Sequence, residues 1–447
     1  MKSKRLIVIS LDALGSTDFE MFSQLPNFKK FIDHAAFCRQ VRSVYPSLTY
    51  PAHTTIVTGR PPAEHGIVNN ILIQPERSSP DWFWQRKYIQ GTTLYDEALK
   101  KGMQVAALLW PVTAKSDITW NLPEIFANHR WSNQIMTSAA NGTLGYQLTL
   151  NRKFGSLRDG IRQPALDNFV QASMNYTIRT YRPDMMFVHL TDLDTQRHHF
   201  GVHSKEAHAA IERHDRRVGE LMHLLHRCGM SVKRDTTVVL LGDHSQLDVQ
   251  NIILINRFLR EQGYIRVQHG RITDWKAYCQ NCDGSAYIYI RKNGLEKSEQ
   301  IRIKNEIYDW LCAMKNDPDN GIAAIYSSKK AKELGADPEC TFMLEARRGF
   351  YFQNELDMGE IPEVQRATHG FHPGRKDYQT VFMAVGPDIM PGVEIEEMSL
   401  MDEGPTMAEI MGLELPGQRE RFCGRFSGSL IRRQTEGPTE RPMYFLN

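Results

Sequence analysis

The sequence has no long hydrophobic run, no surplus of either charge and no paired cysteine pattern. No segment approaches the roughly 20 apolar residues that a membrane-spanning helix needs. The opening Met1-Lys2-Ser3-Lys4-Arg5 is charged, and the apolar run after it, Leu6 to Leu11, is too short for a secretory leader. The formal net charge is only +2, so the concentrated basic face that duplex nucleic acid requires is not expected. Seven cysteines are dispersed at 38, 228, 279, 282, 312, 340 and 423. An odd, scattered set is no disulfide framework and suits a reducing compartment. Cys279 and Cys282 form a lone CxxC; a zinc knuckle needs a second ligand pair at matching spacing, so this one reads as structural. Repeats and low-complexity tracts are also missing. The expectation is a cytoplasmic protein without membrane or duplex nucleic-acid partners. The basic stretch from Arg419 to Arg433 reads as a solvated face.

What is present is a 447-residue chain, 41% hydrophobic and 24% charged, enough for a large core with an embedded subdomain. Short, continuous apolar runs at Leu6–Leu11, Val105–Leu109, Met185–Leu190, Thr237–Leu241 and Thr380–Val385 have the character of strands buried on both faces. Helical spacing appears in Leu25–Ala35 and in Lys205–His226, where Ile211, Val218, Leu221 and Leu225 share one face. This alternation predicts an α/β fold with a mostly parallel central sheet flanked by helices. Residues 113–165 read as an excursion near the site. Residues 260–365 carry strand patterns at Ser285–Arg291, Ile322–Ser327 and Thr341–Phe352 and a helix at Ile301–Met314. They predict an inserted α+β subdomain, with 1–259 and 366–447 as the core.

The chemistry gathers where the apolar strands end, the place at which open α/β sheets bind ligands. Asp12 closes the first strand, and Asp243-His244 follows Val238-Val239-Leu240-Leu241-Gly242. Asp194 and His198 are one helical turn apart, with Asp192, His199 and His203 as alternatives in the same cluster. Thr368-His369-Gly370-Phe371-His372 offers a last imidazole from either histidine. Carboxylates and imidazoles in this number suit two divalent cations. The ligand types admit Zn²⁺, Mn²⁺ or Fe²⁺. Thr49 precedes Pro51, which suits a first helical turn. Alone it reads as a helix cap, with Ser47 competing as a hydroxyl. Next to a cation and a helix N-terminus, a threonine hydroxyl becomes a nucleophile. Asn70 is either a turn residue or a donor to a phosphate oxygen.

Together these pieces resemble the type I phosphodiesterase/nucleotide pyrophosphatase branch of the alkaline phosphatase superfamily. The matching segments are Val8–Asp12, Tyr45-Pro46-Ser47-Leu48-Thr49-Tyr50-Pro51-Ala52-His53, Thr58-Gly59, His65–Asn70, Asp194-x3-His198-x2-Gly201, Gly242–Ser245, His369-Gly370-Phe371 and Phe382–Pro387. The resemblance implies an alkaline-phosphatase-like fold. It places Asp194, His198 and His369 on one zinc, and Asp12, Thr49, Asp243 and His244 on the other. It makes Thr49 the nucleophile of a phospho-threonine mechanism that retains configuration at phosphorus. Asn70 then donates to a phosphate oxygen, Tyr50 offers a packing surface to substrate, and His372 stays unassigned. His189 stands where the family often has a base-stacking tyrosine, and Thr191-Asp192-Leu193 replaces an acidic, proline-containing run. Both departures touch substrate recognition. The implied substrate is a small phosphodiester or pyrophosphate; a phosphomonoester or a phosphonate is the alternative on the same metals. A non-catalytic relative would be expected to lack a ligand, and a sulfatase would need a Cys-x-Pro-x-Arg nucleophile, which is absent around Thr49.

Overall fold

The computed structural model describes residues 3–128, 133–361 and 363–417; the basic stretch from Arg419 to Arg433 and Cys423 lie outside them. Strands β1 (Arg5–Leu11) and β2 (Ala36–Arg42) lead to helix α1 (Thr49–Thr58). Helix α2 (Leu94–Lys100) precedes β3 (Val105–Leu108) and β4 (Trp120–Leu122), and α3 (Ala165–Thr180) precedes β5 (Met185–Leu190). Helices α4 (Asp192–Phe200) and α5 (Lys205–Arg227) then carry the chain to β6 (Thr236–Leu241). The next portion holds β7 (Leu247–Ile253), β8 (Ala277–Cys282), β9 (Ser285–Ile290), α6 (Lys297–Asn316), β10 (Ile322–Ser327) and β11 (Phe342–Ala346). Finally β12 (Thr380–Val385) rejoins the main sheet, and α7 (Glu403–Met411) packs behind it.

Among the described residues the main sheet has nine strands, and its central run is β2-β12-β6-β1-β5-β3-β4. The block from β6 to β4 is parallel, and β12 runs antiparallel to both of its neighbours. The sheet is therefore mixed but mostly parallel. Its inner strands β1, β3, β5, β6 and β12 are mostly apolar because both faces are covered. Along β1, Ile7, Ile9 and Leu11 enter one core with Phe169, Met174, Ile211 and Leu221. Leu6 and Val8 enter the other with Ile56, Val57, Leu94 and Met407. The two-residue period of a strand makes this division. The amphipathic α5 buries Ile211, Val218, Leu221 and Leu225, as its spacing predicts.

A separate four-stranded antiparallel sheet, β8-β9-β11-β10, has its own apolar cluster with Ile303, Ile307 and Leu311 of α6. The Thr341–Phe352 run is two strands, β11 and a short one at Gly349–Phe352 that pairs with β7. Cys279 and Cys282 are both buried and free on β8. Among the described residues no helix is long and apolar enough to cross a membrane.

Candidate active site

Distant segments converge at the carboxyl end of the parallel block. Asp12 follows β1 and is 2% exposed. The next residue, Ala13, has φ 63, the left-handed region that costs a non-glycine residue energy. This turn sends the Ala13 amide to Asp243 Oδ1 at 3.2 Å. Gly242 ends β6 where a Cβ would stand 2.2 Å from both Leu14 O and Thr380 Oγ1. Only glycine fits there, and the irregular loop after it brings Asp243 and His244 inward together. His244 Nε2 lies 3.2 Å from Asp243 Oδ2 and 3.4 Å from Asp12 Oδ1.

Thr49 is the first residue of α1, with Leu48 in the cap position. Its hydroxyl is therefore not spent on capping, and Oγ1 sits 3.2 Å from His244 Nε2. Ser47 is fully buried and bonded to Phe371 O and Tyr378 Oη, away from these groups. One helical turn beyond Thr49, His53 bonds Thr49 O through Nδ1 (2.8 Å) and Ser10 Oγ through Nε2 (2.9 Å). Burial, with a further push from His189, holds the His53 pKa well below the usual histidine range. A neutral ring donating through Nδ1 and accepting through Nε2 fits both contacts.

Helix α4 presents Asp194 and His198 on one face, Oδ1 to Nε2 3.3 Å. The neighbouring alternatives point elsewhere. Asp192 is gripped by Arg213 and Arg217, His199 pairs with Glu363, and His203 is exposed. His369 enters beside His244, ring centroids 4.1 Å apart, while His372 lies against Tyr45 and lines a different cavity. Gly370, at φ +81, turns the chain after His369 so tightly that a Cβ would stand 1.7 Å from Cys282 O.

Two groups of side chains have ligand atoms within 4.8 Å of one another: Asp194, His244 and His369, and Asp12, Asp243 and His244. Inside them Asp12 Oδ1, Asp243 Oδ2, His244 Nδ1 and His369 Nδ1 are buried without a hydrogen-bond partner. Orphaned buried acceptors are costly, and Asp12 Oδ1 and Asp243 Oδ2 both lie against His244 Nε2. The charges conflict as well. Burial, then repulsion from Asp194, lifts the Asp12 carboxyl to about 7. Burial, then Asp12, pushes Asp243 well above the carboxylate range. Burial works against a charged His198, but the attraction of Asp194 outweighs it and raises the ring to about 9. A cluster in which carboxylates repel while acceptors stay unpaired lacks positive charge. Divalent cations fit that deficit and this donor set.

Asp12, Thr49, Asp194, His198 and His369 line one end of a cleft of about 690 Å³. Its far end is apolar, with Leu122, Ile125, Phe126, Ile135 and Phe169, and Arg158 is the one arginine or lysine on its wall among the described residues. Asn70 borders the reactive end. Its Oδ1 accepts the Tyr50 amide at 2.9 Å, which leaves the side-chain amide nitrogen for the cleft. Tyr50 itself is buried, its ring edge-on to the more accessible Trp82 at 5.3 Å. His189 is only 1% exposed, and both of its nitrogens are engaged within the protein. Some groups here were not anticipated from sequence. Gln246 bonds the Asp194 carboxylate, and Asp283 Oδ2 lies 3.7 Å from His369 Nδ1. His53, four residues after Thr49 on a helix, had a readable signal in that spacing. Asp283 had none.

A family profile described as "Type I phosphodiesterase / nucleotide pyrophosphatase" matches residues 6–375. The chain is 24% identical over 408 residues to human ectonucleotide pyrophosphatase/phosphodiesterase family member 1, covering 87% of this chain and 38% of that protein. It is 24% identical over 442 residues to venom phosphodiesterase 2 of Crotalus adamanteus, covering 92% and 45%. The chain thus spans less than half the length of these relatives. An inactive variant of murine ectonucleotide pyrophosphatase/phosphodiesterase 5, in complex with AMP, superposes with TM-score 0.65 at 18% identity, covering 93% of this chain and 96% of that one. That likeness shows the fold, which is alkaline-phosphatase-like.

Proposed function

Because the chain belongs to the type I phosphodiesterase/nucleotide pyrophosphatase family, we propose that it is a metal-dependent hydrolase of small phosphodiesters or pyrophosphates, with Thr49 as nucleophile. The observation that carries this reading is the placement of Thr49. Its uncapped hydroxyl opens a buried helix, 3.2 Å from His244 Nε2 and on the wall of the cleft. Asp12, Thr49, Asp243 and His244 would hold one cation, and Asp194, His198 and His369 the other. Two divalent ions bound there, zinc as the family resemblance implies, would supply Lewis acidity and lower the pKa of an oxygen they hold.

The protein's own groups then have distinct tasks. Thr49 Oγ1 attacks phosphorus in line, and the bond to the leaving-group oxygen breaks. The positive end of α1, which Thr49 opens, favours negative charge on Thr49 Oγ1. The Asn70 amide donates to a non-bridging oxygen, where charge grows in the transition state. Water then cleaves the threonine ester and restores Thr49, so two inversions give net retention.

The cleft favours a diester. A monoester carries more charge and would call for a cationic clamp, yet Arg158 is the one arginine or lysine on the described wall. The apolar arm has room for a second substituent. The AMP complex of the murine relative makes nucleotide esters the first substrates to test. His189, turned inward, offers no stacking face of the kind a tyrosine there would.

Zinc-loaded protein assayed on bis-p-nitrophenyl phosphate and on p-nitrophenyl phosphate tests the reading. A higher kcat/KM for the diester is expected. Preference for the monoester would favour a phosphomonoesterase, and no turnover of either would refute catalysis. Thr49→Ala should abolish turnover while zinc remains bound.

A further inference from the structure

His189 joins two carboxylates. Its Nε2 is 2.9 Å from Asp12 Oδ2, and its Nδ1 is 3.2 Å from both Glu124 Oε2 and Leu109 O. Both ring nitrogens are thus engaged within the protein, one on each carboxylate. The bond to His189 takes Asp12 Oδ2 and leaves Oδ1 buried, unpartnered and 3.4 Å from His244 Nε2. The orientation of Asp12 is thereby set from behind, by a chain that ends at Glu124.

Two features show that this chain is built. Leu109 has φ 52, a strained backbone for leucine, at the point where its carbonyl meets His189. Glu124 arrives from the irregular segment after β4 and is only 13% exposed. It is also on the cleft wall with Tyr50 beside it.

We propose that Glu124 is a positioning residue that, through His189, holds Asp12 with one oxygen turned to the cation site. The proposal rests on the metal reading above. Groups hydrogen-bonded behind a metal ligand fix its geometry, and their loss typically weakens affinity roughly 10- to 100-fold. Without the Glu124 side chain, Nδ1 keeps only the Leu109 carbonyl, and the ring loses one of the contacts that hold its Nε2 against Asp12 Oδ2. Glu124→Gln keeps a side-chain acceptor opposite Nδ1 beside Leu109 O; Glu124→Ala leaves Leu109 O alone.

The test titrates metal-free wild type, Glu124→Ala and Glu124→Gln with zinc against a competing chelator, and measures kcat and KM on bis-p-nitrophenyl phosphate. Wild type should take up two zinc equivalents; if it does not, the metal reading itself fails. Given that control, Glu124→Ala should bind one equivalent as wild type does and the other roughly 10- to 100-fold more weakly. Glu124→Gln should fall between the two. At saturating zinc, KM should stay within about twofold of wild type, because the role runs through the metal. Wild-type affinity for both equivalents in Glu124→Ala would overturn the proposal. So would a raised KM with zinc affinity intact, which would make Glu124 a substrate contact. Should Glu124→Ala not fold, Glu124→Gln decides alone: weakened uptake of a single equivalent supports the proposal, and unchanged uptake of both refutes it.

Discussion

Replacing Arg197 with methionine should take apart the site and a large share of the stability together. Arg197 sits on α4 between Asp194 and His198 and is 1% exposed. Its guanidinium donates to Ala13 O, next to Asp12, and to the Asp18 carboxylate, and Nε donates to Val202 O at 3.3 Å. One side chain thus ties α4 to the loop after β1, and so joins the two halves of the cation cradle. The charge-assisted bond to Asp18 contributes about 1.5–3 kcal/mol and each bond to a carbonyl about 1 kcal/mol. Their sum, about 3.5–5 kcal/mol, agrees with the roughly 3–5 kcal/mol lost when one partner of a buried ion pair is removed. Asp18 is 5% exposed and would keep only the Gly15 amide, at 2.8 Å. In urea unfolding of the metal-free protein, Arg197→Met should therefore lose about 3.5–5 kcal/mol. Adding Asp18→Asn removes the stranded charge, and the double variant should recover about 1–3 kcal/mol of coupling. A loss below about 1 kcal/mol, or additive effects in the double variant, would refute the reasoning.

Other perturbations probe separate parts of the account. Asn70→Asp keeps the acceptor for the Tyr50 amide but removes the donor aimed at the cleft, so kcat should drop about 10²–10³-fold with zinc content unchanged; unchanged kcat would remove Asn70 from the mechanism. His65 is held to about 3 by burial, its Nδ1 accepting the Ile67 amide and its Nε2 facing Thr55 Oγ1. Because its folded pKa lies below the ordinary 6.5, the unfolded chain binds the proton first, and stability falls as pH drops from about 6.5 toward 3. Between pH 6.5 and 4.5 this single group costs about 2.3 kcal/mol. The stability curve of His65→Gln should be flatter by that amount, and parallel curves would contradict the assignment. Gly370→Ala places a Cβ against Cys282 O at φ +81, adding at least about 1–2 kcal/mol of backbone strain and displacing His369. Elemental analysis should find less than the wild-type zinc, and full zinc at wild-type stability would argue against the tight turn.

The parts of this molecule that were legible in the sequence share a physical cause. Strands covered on both faces read as unbroken apolar runs, and β1, β5, β6 and β12 were placed within a residue of their observed ends. Residues just beyond such strands are then the natural site candidates, which is how Asp12, Asp194, Asp243 and His244 stood out. β2 (Ala-Phe-Cys-Arg-Gln-Val-Arg) was not recognised, because it mixes charged and apolar positions beside the short Glu394–Ile395 and Met398–Ser399 strands at the sheet's edge. β12 could not be read as antiparallel, since strand direction leaves no mark on an apolar run. Local spacing left Asp192 level with Asp194, and His372 level with His369. The choice between them depends on contacts such as Arg213 to Asp192, made from another helix. Glu124 was invisible for the same reason: it meets His189 across 65 residues, from a loop without period.

The claim on which all else depends is that Thr49 forms a covalent bond to phosphorus. The direct measurement is mass spectrometry of zinc-loaded protein, acid-quenched during turnover of bis-p-nitrophenyl phosphate and digested to peptides. The account predicts a p-nitrophenyl phosphoryl group on the peptide containing Thr49, absent from Thr49→Ala. Turnover with that peptide unmodified at every quench time, or an adduct on another residue, would contradict it.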